Sequence, residues 1–188
     1  ILQDVTARVR AEEALHQSEE KFRTIVETTK EWIWEIDLRG QHTYSNPAIE
    51  AILGYGVEEF LTLSTMDLIH PEDQALVAEA LPRYIERVRG WENWVLRWRH
   101  RDGSWRYLES NSEPILQGGY VLVGYRGVDR DITDRIEAER LLRESMVALS
   151  RHQEQLEELV RERTAALERA QEDLVRKERL AALGQLIG

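Results

Sequence analysis

The sequence predicts an α+β protein in which an antiparallel sheet lies between two helical segments. Between residues 32 and 130, apolar side chains alternate with period two in short stretches separated by glycine-containing turns, a pattern typical of antiparallel strands. From Asp134 the alternation stops and neither glycine nor proline occurs before Gly184, which predicts one long helix. Residues 4–29 carry apolar residues at spacings of three, four and seven, which predict a helix before the sheet.

Composition excludes several classes of protein. The 188 residues include 25 basic and 35 acidic side chains, a net charge of −10, which disfavours a nucleic-acid partner. There is no cysteine, so disulfides, cysteine metal sites and cysteine-linked chromophores are excluded. No apolar stretch reaches the roughly 18 residues of a membrane span, which predicts a cytoplasmic chain without membrane contact. Because the sequence begins at Ile1 rather than methionine, we expect it to be part of a longer protein, whose other segments could include a membrane anchor.

The first half of the predicted domain contains two strands and two helices. Residues 32–38 alternate as a first strand, and a short second strand follows Gln41. Asn46-Pro47 predicts the start of a small helix that Gly54 ends. A longer helix is predicted from Pro71 to Gly90, and Pro82 is expected to kink or divide it because proline lacks the backbone donor.

The second half, residues 92–130, predicts three further strands. Asp102-Gly103 and residues 117–119 predict the two hairpin turns. A tight first hairpin would place Trp98 opposite Trp105 on one face of the sheet. Both faces would be partly apolar, so we expect the small helices to cover one face and the N-terminal helix or a second subunit to cover the other.

The C-terminal helix carries a coiled-coil seam. Steps of four and three residues connect mainly apolar side chains, and polar residues interrupt the seam at Gln153, Arg163 and Lys177. Only a partner helix could bury this stripe, so we expect a parallel homodimer. The predicted seam consists of Leu142, Met146, Leu149, Gln153, Leu156, Val160, Arg163, Leu167 and Leu174.

One sequence segment occurs twice. "DVTARVRAEEALHQS" at residues 4–18 resembles "DITDRIEAERLLRES" at residues 131–145. The first copy leads into the β-rich region and the second into the coiled coil. The repeat predicts that the same signal for leaving a domain occurs at both places.

The β-rich region resembles a PAS domain of a bacterial sensor histidine kinase. The resemblance rests on "SEEKFRTIVETTKEWIWEID", "YSNPAIEAILGY", "IHPED", "RHRDGSWRYLE" and "GVDRDITDR", which occur in the family's order. It implies a five-stranded antiparallel sheet with small helices on one face. It also implies a PAS domain at residues 20–133, preceded at residues 1–19 by a helical linker from another PAS domain.

The C-terminal segments resemble the connection to a kinase. Residues 134–178 are the predicted coiled-coil signalling helix. "ERLAALGQLIG" resembles the start of the kinase dimerisation and phosphoacceptor helix, so residues 179–188 are expected to begin it and to end before the phosphoacceptor histidine. The resemblance implies a regulatory segment without enzymatic activity, whose partners in the parent protein are a kinase catalytic domain and a response regulator.

The sequence does not predict a catalytic or metal site. The five histidines are scattered without paired-ligand spacing. His152 lacks the adjacent glutamate of a phosphoacceptor, and His70 before Pro71 is expected to cap or turn the chain rather than to bind a ligand.

The identity of any cofactor stays open. The absence of cysteine argues against coumaroyl and cysteinyl-flavin chromophores. Haem-binding relatives ligate iron with a histidine on the long helix, and Ala78 occupies the corresponding position here. Tryptophans could stack on a flavin or could simply pack the core. The candidate pocket residues are Trp32, Trp34, Asn46, Trp98 and Trp105.

The resemblance also names residues for signal transmission. Asp131 and Thr133 would connect the last strand to the outgoing helix, and Arg135 would pair with an acidic residue, for which we choose Asp37. The alternative is that Asp131 or Thr133 is only a helix N-cap. Two functions therefore remain: a module that perceives a signal, or a dimerisation relay without a ligand.

Overall fold

The computed structural model describes the backbone of residues 2–187 and the side chains of residues 12–179. The elements are α1 (Leu2–Thr28), β1 (Trp32–Asp37), β2 (His42–Ser45), α2 (Ala48–Leu53), α3 (Val57–Thr62), α4 (Thr65–Leu68), α5 (Pro71–Arg87), β3 (Trp94–Arg99), β4 (Trp105–Gln117), β5 (Val121–Asp131) and α6 (Thr133–Ile187). The chain divides into two compact units, the first ending at Ile136 and the second beginning at Glu137.

The five strands form one antiparallel sheet in the order β2-β1-β5-β4-β3. The first and last strands of the chain's β-region are therefore neighbours, with Trp32 opposite Asp129. Alternation along each strand gives the sheet an inner face, which packs against the small helices, and an outer face. The predicted α+β class with a five-stranded antiparallel sheet is confirmed.

Local sequence signals explain the helix boundaries. The α2 helix starts after Pro47 and ends at Gly54, whose φ of 78° is a left-handed conformation that glycine adopts without strain. Pro71 is the first residue of α5, and His70 caps that helix by accepting a hydrogen bond from the N–H of Glu72. The α5 helix continues through Pro82 and ends at Arg87, so the expected division at Pro82 does not occur and Gly90 is not the cap.

The predicted pairing of Trp98 with Trp105 is wrong. Trp98 lies opposite Arg106, and Trp105 lies opposite Arg99, which places the two tryptophans on different faces of the sheet. The cause is a loop with three residues between the paired His100 and Ser104, in which Gly103 has a φ of 90°. A three-residue loop with a left-handed glycine shifts the register relative to the tight turn that we expected.

The core lies between the inner face of the sheet and helices α2 to α5. It is rich in aromatic residues and includes Trp32, Trp34, Phe60, Trp91, Trp98 and Tyr125, together with aliphatic side chains from α2 and β4. Their burial holds the strands and small helices together, since each large apolar side chain contributes roughly 2 kcal/mol when removed from water.

The second unit, described by itself, is helical from Glu137 to Ile187. Its apolar stripe is exposed, and Leu149 and Leu142 have 67% and 62% of their surface accessible. Helical structure continues through Gly184. The side chains of residues 180–188, on which the expected start of a kinase helix depends, lie outside the described residues.

Candidate functional site

The inner face of the sheet holds a buried cluster of aromatic rings. Trp32 stacks on His42 at 5.0 Å between ring centroids and meets Phe60 and Trp98 edge-on, each at 5.2 Å. Trp34 stacks on Trp91 at 5.8 Å. Of the candidate pocket residues, Trp32, Trp34, Asn46 and Trp98 are buried.

Trp105 does not join this cluster. It lies beside His70 at the start of α5, with their ring centroids 4.6 Å apart. The different register of the first hairpin accounts for this, because Trp105 follows the loop on the outer face. The candidate pocket residues are therefore four buried residues on the inner face and one residue, Trp105, on the outer face.

A planar cofactor has no open ring face in this cluster. Trp32 and Trp34 stack on His42 and Trp91 and are only 0% and 3% exposed, so a flavin would have to displace a buried aromatic side chain. His42 uses its Nδ1 atom in a 2.9 Å hydrogen bond with Thr65. Burial lowers the pKa of His42 to about 3, so its imidazole is neutral at physiological pH.

Metal binding is not indicated by the described part of the chain. Within residues 12–179, no three histidine, aspartate or glutamate side chains converge in a way that could hold an ion. Among the helices that the structure describes, none has the length and apolarity to cross a membrane.

Asp129 is a buried carboxylate that the sequence analysis missed. It lies on β5, and the indole Nε1 of Trp34 donates a 2.7 Å hydrogen bond to its Oδ1 atom. Burial raises the pKa of Asp129 to about 6, although hydrogen bonds from Ser110 and Trp34 favour the charged form. Period-two alternation from Tyr125 through Gly127 would have placed Asp129 on the inner face.

Asn46 ties the end of α1 to the sheet. Its side-chain amide donates to the carbonyls of Val26 and Glu31 at 2.9 and 3.0 Å, and its Oδ1 accepts from the N–H of Ile33 at 3.0 Å. The side chain is completely buried. Its polar atoms are thus used within the protein, which identifies Asn46 as a structural connection between helix and strand.

Thr133 connects the first turn of α6 to the sheet. Its hydroxyl oxygen accepts a 2.9 Å hydrogen bond from the N–H of Tyr107 in β4 and donates to Oδ1 of Asp131. The same Asp131 oxygen accepts from the N–H of Thr133 at 2.9 Å. The bond to Tyr107 reaches a neighbouring strand, which a helix cap alone would not do.

Asp37 was the wrong choice of partner for Arg135. The guanidinium of Arg135 lies 3.3 Å from a carboxylate oxygen of Glu109 in β4, whereas Asp37 pairs with Arg39 in the turn after β1. Backbone hydrogen bonds from Gln41 and Arg39 outweigh the effect of burial and lower the pKa of Asp37. Its role is to hold the β1–β2 turn.

Comparison with known proteins agrees with this geometry. Residues 42–128 match the family model described as the PAS fold. A PAS domain from Colwellia psychrerythraea is 26% identical with a TM-score of 0.55, and the alignment covers 61% of this chain and 97% of that one. A sensory box histidine kinase/response regulator from Burkholderia thailandensis is 27% identical with a TM-score of 0.53. Its alignment covers 70% of this chain and 98% of that one.

Among the curated relatives, White collar 2 protein of Neurospora crassa is 26% identical, and the alignment covers 71% of this chain. The chain spans 29% of that relative and 18% of an uncharacterised Sinorhizobium fredii protein. The matched segment and the structure together show that the chain has the PAS fold. PAS domains are regulatory sensor domains, and the similar Burkholderia protein is described as a sensory box histidine kinase/response regulator.

Proposed function

We propose that this chain is the PAS signal-relay module of a sensor histidine kinase. In this proposal it works as a cytoplasmic parallel homodimer and passes a conformational change through α6 to the kinase catalytic domain. A response regulator would receive the phosphoryl group in the parent protein. The observation that carries this proposal is the double attachment of Thr133, which couples β4 to the first turn of the long helix. The kinase assignment is supported by the similarity to the Burkholderia protein.

The residues proposed for transmission are Asp131, Thr133 and Arg135. A movement of β4 or β5 would change the bonds of Thr133 to Tyr107 and Asp131, and Glu109 would move Arg135 with it. Each contact joins the sheet to the first turn of α6. Signal transmission would therefore require no catalytic chemistry in this segment.

A relay without a ligand is a second candidate. It is favoured by the aromatic core, in which neighbouring rings cover the faces of Trp32 and Trp34. In that case the signal would come from a preceding domain through α1. Asn46, which bonds to Val26 near the end of that helix, would receive it.

Replacing Thr133 by valine tests the coupling. Valine keeps the volume but removes the acceptor for the N–H of Tyr107, so this amide should exchange with solvent about fivefold faster, the effect of losing roughly 1 kcal/mol. In the full-length protein, signal-dependent autophosphorylation should fall while the fold is retained. Thr133→Ser restores the hydroxyl and should restore both measurements. Unchanged regulation in Thr133→Val would reduce the residue to a helix cap.

Sedimentation of the chain tests the proposed dimer. We expect a dimer mass at tens of micromolar, because the exposed seam residues gain free energy only when a second helix covers them. Leu149→Glu combined with Leu156→Glu should give a monomer. The control, Arg151→Gln with Ala165→Glu, changes the net charge equally on the opposite side of the helix and should stay dimeric. A monomer mass for the unmodified chain would contradict the proposal.

A further inference from the structure

An open groove of about 660 Å³ lies between α5 and the segment that connects it to β3. Its floor is a triad of aromatic rings formed by Tyr84, Trp91 and Trp94, with centroids 5.4 to 5.9 Å apart. This volume falls within the roughly 300–1,000 Å³ that small-molecule sites occupy. The groove shares Trp91 with the buried aromatic cluster, and its other lining residues lie outside that cluster.

Three arginines line the groove above the aromatic floor: Arg83, Arg87 and Arg89. Arg83 pairs with Glu79 on α5 at 2.6 Å. Arg87 and Arg89 make no side-chain ion pair or hydrogen bond in the described part of the chain. Glu79 and Glu92 also line the groove, so its lining has three arginines and two glutamates. The protein as a whole has a net charge of −10. The groove is thus a local concentration of guanidinium groups.

The backbone beneath the groove is held in an unusual conformation. Val88 and Asn93, at the two ends of the connecting segment, are the non-glycine residues with positive φ among those that the structure describes, at 49° and 52°. A β-branched residue rarely adopts such a φ, and strained backbone of this kind is concentrated at functional sites.

The segment is fixed by β4. The N–H of Trp91 donates to the hydroxyl oxygen of Ser112, and the carbonyl of Trp91 accepts from the N–H of Ser112. The N–H of Asn93 donates a 2.8 Å hydrogen bond to Oδ1 of Asn111. At Gly90 a Cβ atom would lie 1.8 Å from the carbonyl oxygen of Ser112, so only glycine allows this close approach. These contacts hold Trp91 and the backbone of the connecting segment in place before any ligand arrives.

We infer that this groove binds a planar aromatic carboxylate of one or two rings. The guanidinium of Arg87 or Arg89 would bind the carboxylate in a bidentate manner. The ligand ring would stack on Trp94 and would contact Tyr84, whose ring is inclined by 49° to that of Trp94, with its edge. Neither an aliphatic acid nor a neutral aromatic compound would use both features. This binding site adds an input to the proposed relay and does not depend on the identity of the output domain.

A chain of contacts leads from the groove to the exit of the domain. Trp91 donates a 2.9 Å hydrogen bond to Ser110 and stacks on Trp34, which in turn donates to Asp129. Asp129 is two residues before Asp131. A ligand that moves Trp91 would therefore disturb the strand that ends at the α6 connection.

The test is a titration of the full chain with 2-naphthoate, observed through the six indole N–H signals in ¹⁵N-correlated spectra. We expect the Trp94 and Trp91 signals to shift, with a dissociation constant in the range of roughly 0.01–1 mM. The Trp94→Phe variant identifies the Trp94 signal. 2-Naphthalenemethanol and cyclohexanecarboxylate, which lack the charge and the aromatic ring respectively, should bind at least about tenfold more weakly.

Matched variants separate the site from general charge attraction. Arg87→Gln with Arg89→Gln should weaken naphthoate binding by about tenfold or more, whereas Arg143→Gln with Arg151→Gln, which removes two charges from α6, should leave it unchanged. The inference is overturned if no indole signal shifts, if the shifts are confined to Trp32 and Trp98, or if the neutral alcohol binds equally well. Because binding is measured directly, these outcomes are independent of any failure of dimerisation or of kinase regulation.

Discussion

Replacing Asp129 by asparagine is expected to raise the free energy of unfolding at pH 7 by roughly 2–3 kcal/mol. Asparagine has the same shape and still accepts the hydrogen bond from Trp34, but it carries no charge that must be buried. The pKa of Asp129 is about 6 in the folded protein and about 3.9 in an unfolded chain. The folded state therefore binds the proton more tightly than the unfolded state.

The sign of the pH dependence follows from this difference. As pH rises from about 4 through 6, Asp129 loses its proton in a dry site and its contribution to stability falls, and above that range the loss is complete. Urea denaturation between pH 4 and 8 should show that the advantage of Asp129→Asn grows over this interval and then levels off. The exposed Asp102 provides the control. Because hydrogen bonds from Ser104 hold its pKa far below the usual value, Asp102→Asn should give a flat difference above about pH 5.

A constant difference between Asp129→Asn and the unmodified protein from pH 4 to 8 would contradict the assignment of a raised pKa. A large destabilisation by asparagine at pH 7 would show instead that the ionised carboxylate is favoured by contacts that outweigh its burial.

Replacing Asn46 by alanine is expected to lower the free energy of unfolding by about 3 kcal/mol. The substitution leaves the carbonyls of Val26 and Glu31 without the amide donor and the N–H of Ile33 without its side-chain acceptor. Buried polar groups without partners cost about 1–3 kcal/mol each, offset here by partial access of water at the end of α1. Urea denaturation monitored by tryptophan fluorescence measures the change.

Two further variants make the Asn46 prediction specific. Asn46→Asp keeps the acceptor but removes both donors and buries a charge, so it should be at least as destabilising as alanine. Thr43→Ala, on the strand β2 just before Asn46, removes one exposed hydrogen bond to Glu35 and should change stability by less than about 0.5 kcal/mol. A change below about 1 kcal/mol in Asn46→Ala would refute the structural role.

Most of the fold could be predicted from the sequence because its signals are local. The turn at Gly103, the cap at Gly54 and the start of α5 at Pro71 depend on residues within a few positions of one another. The family resemblance then supplied the order of the elements. Pairing across strands depends on loop length to the nearest residue, and the three-residue loop before Ser104 was enough to separate Trp98 from Trp105.

The candidate site was harder to predict because its partners are distant in sequence. Arg135 meets Glu109, 26 residues earlier, through the pairing of β4 with β5. Trp34 and Asp129 are 95 residues apart and meet because β1 and β5 are adjacent in the sheet. Nothing in the sequence around Asp37 distinguished it from Glu109 as a partner for the arginine.

The pairing of β1 with β5 has a consequence for how such proteins can be assembled. Trp32 lies opposite Asp129, and Glu31 forms an ion pair with Arg130, so the chain enters and leaves the sheet at the same end of two neighbouring strands. A domain with adjacent ends can be inserted into a longer chain, or duplicated along it, without diverting the flanking segments. Duplication of such a module would produce a near-repeat like that of residues 4–18 at 131–145, since each copy would bring its own exit sequence with it.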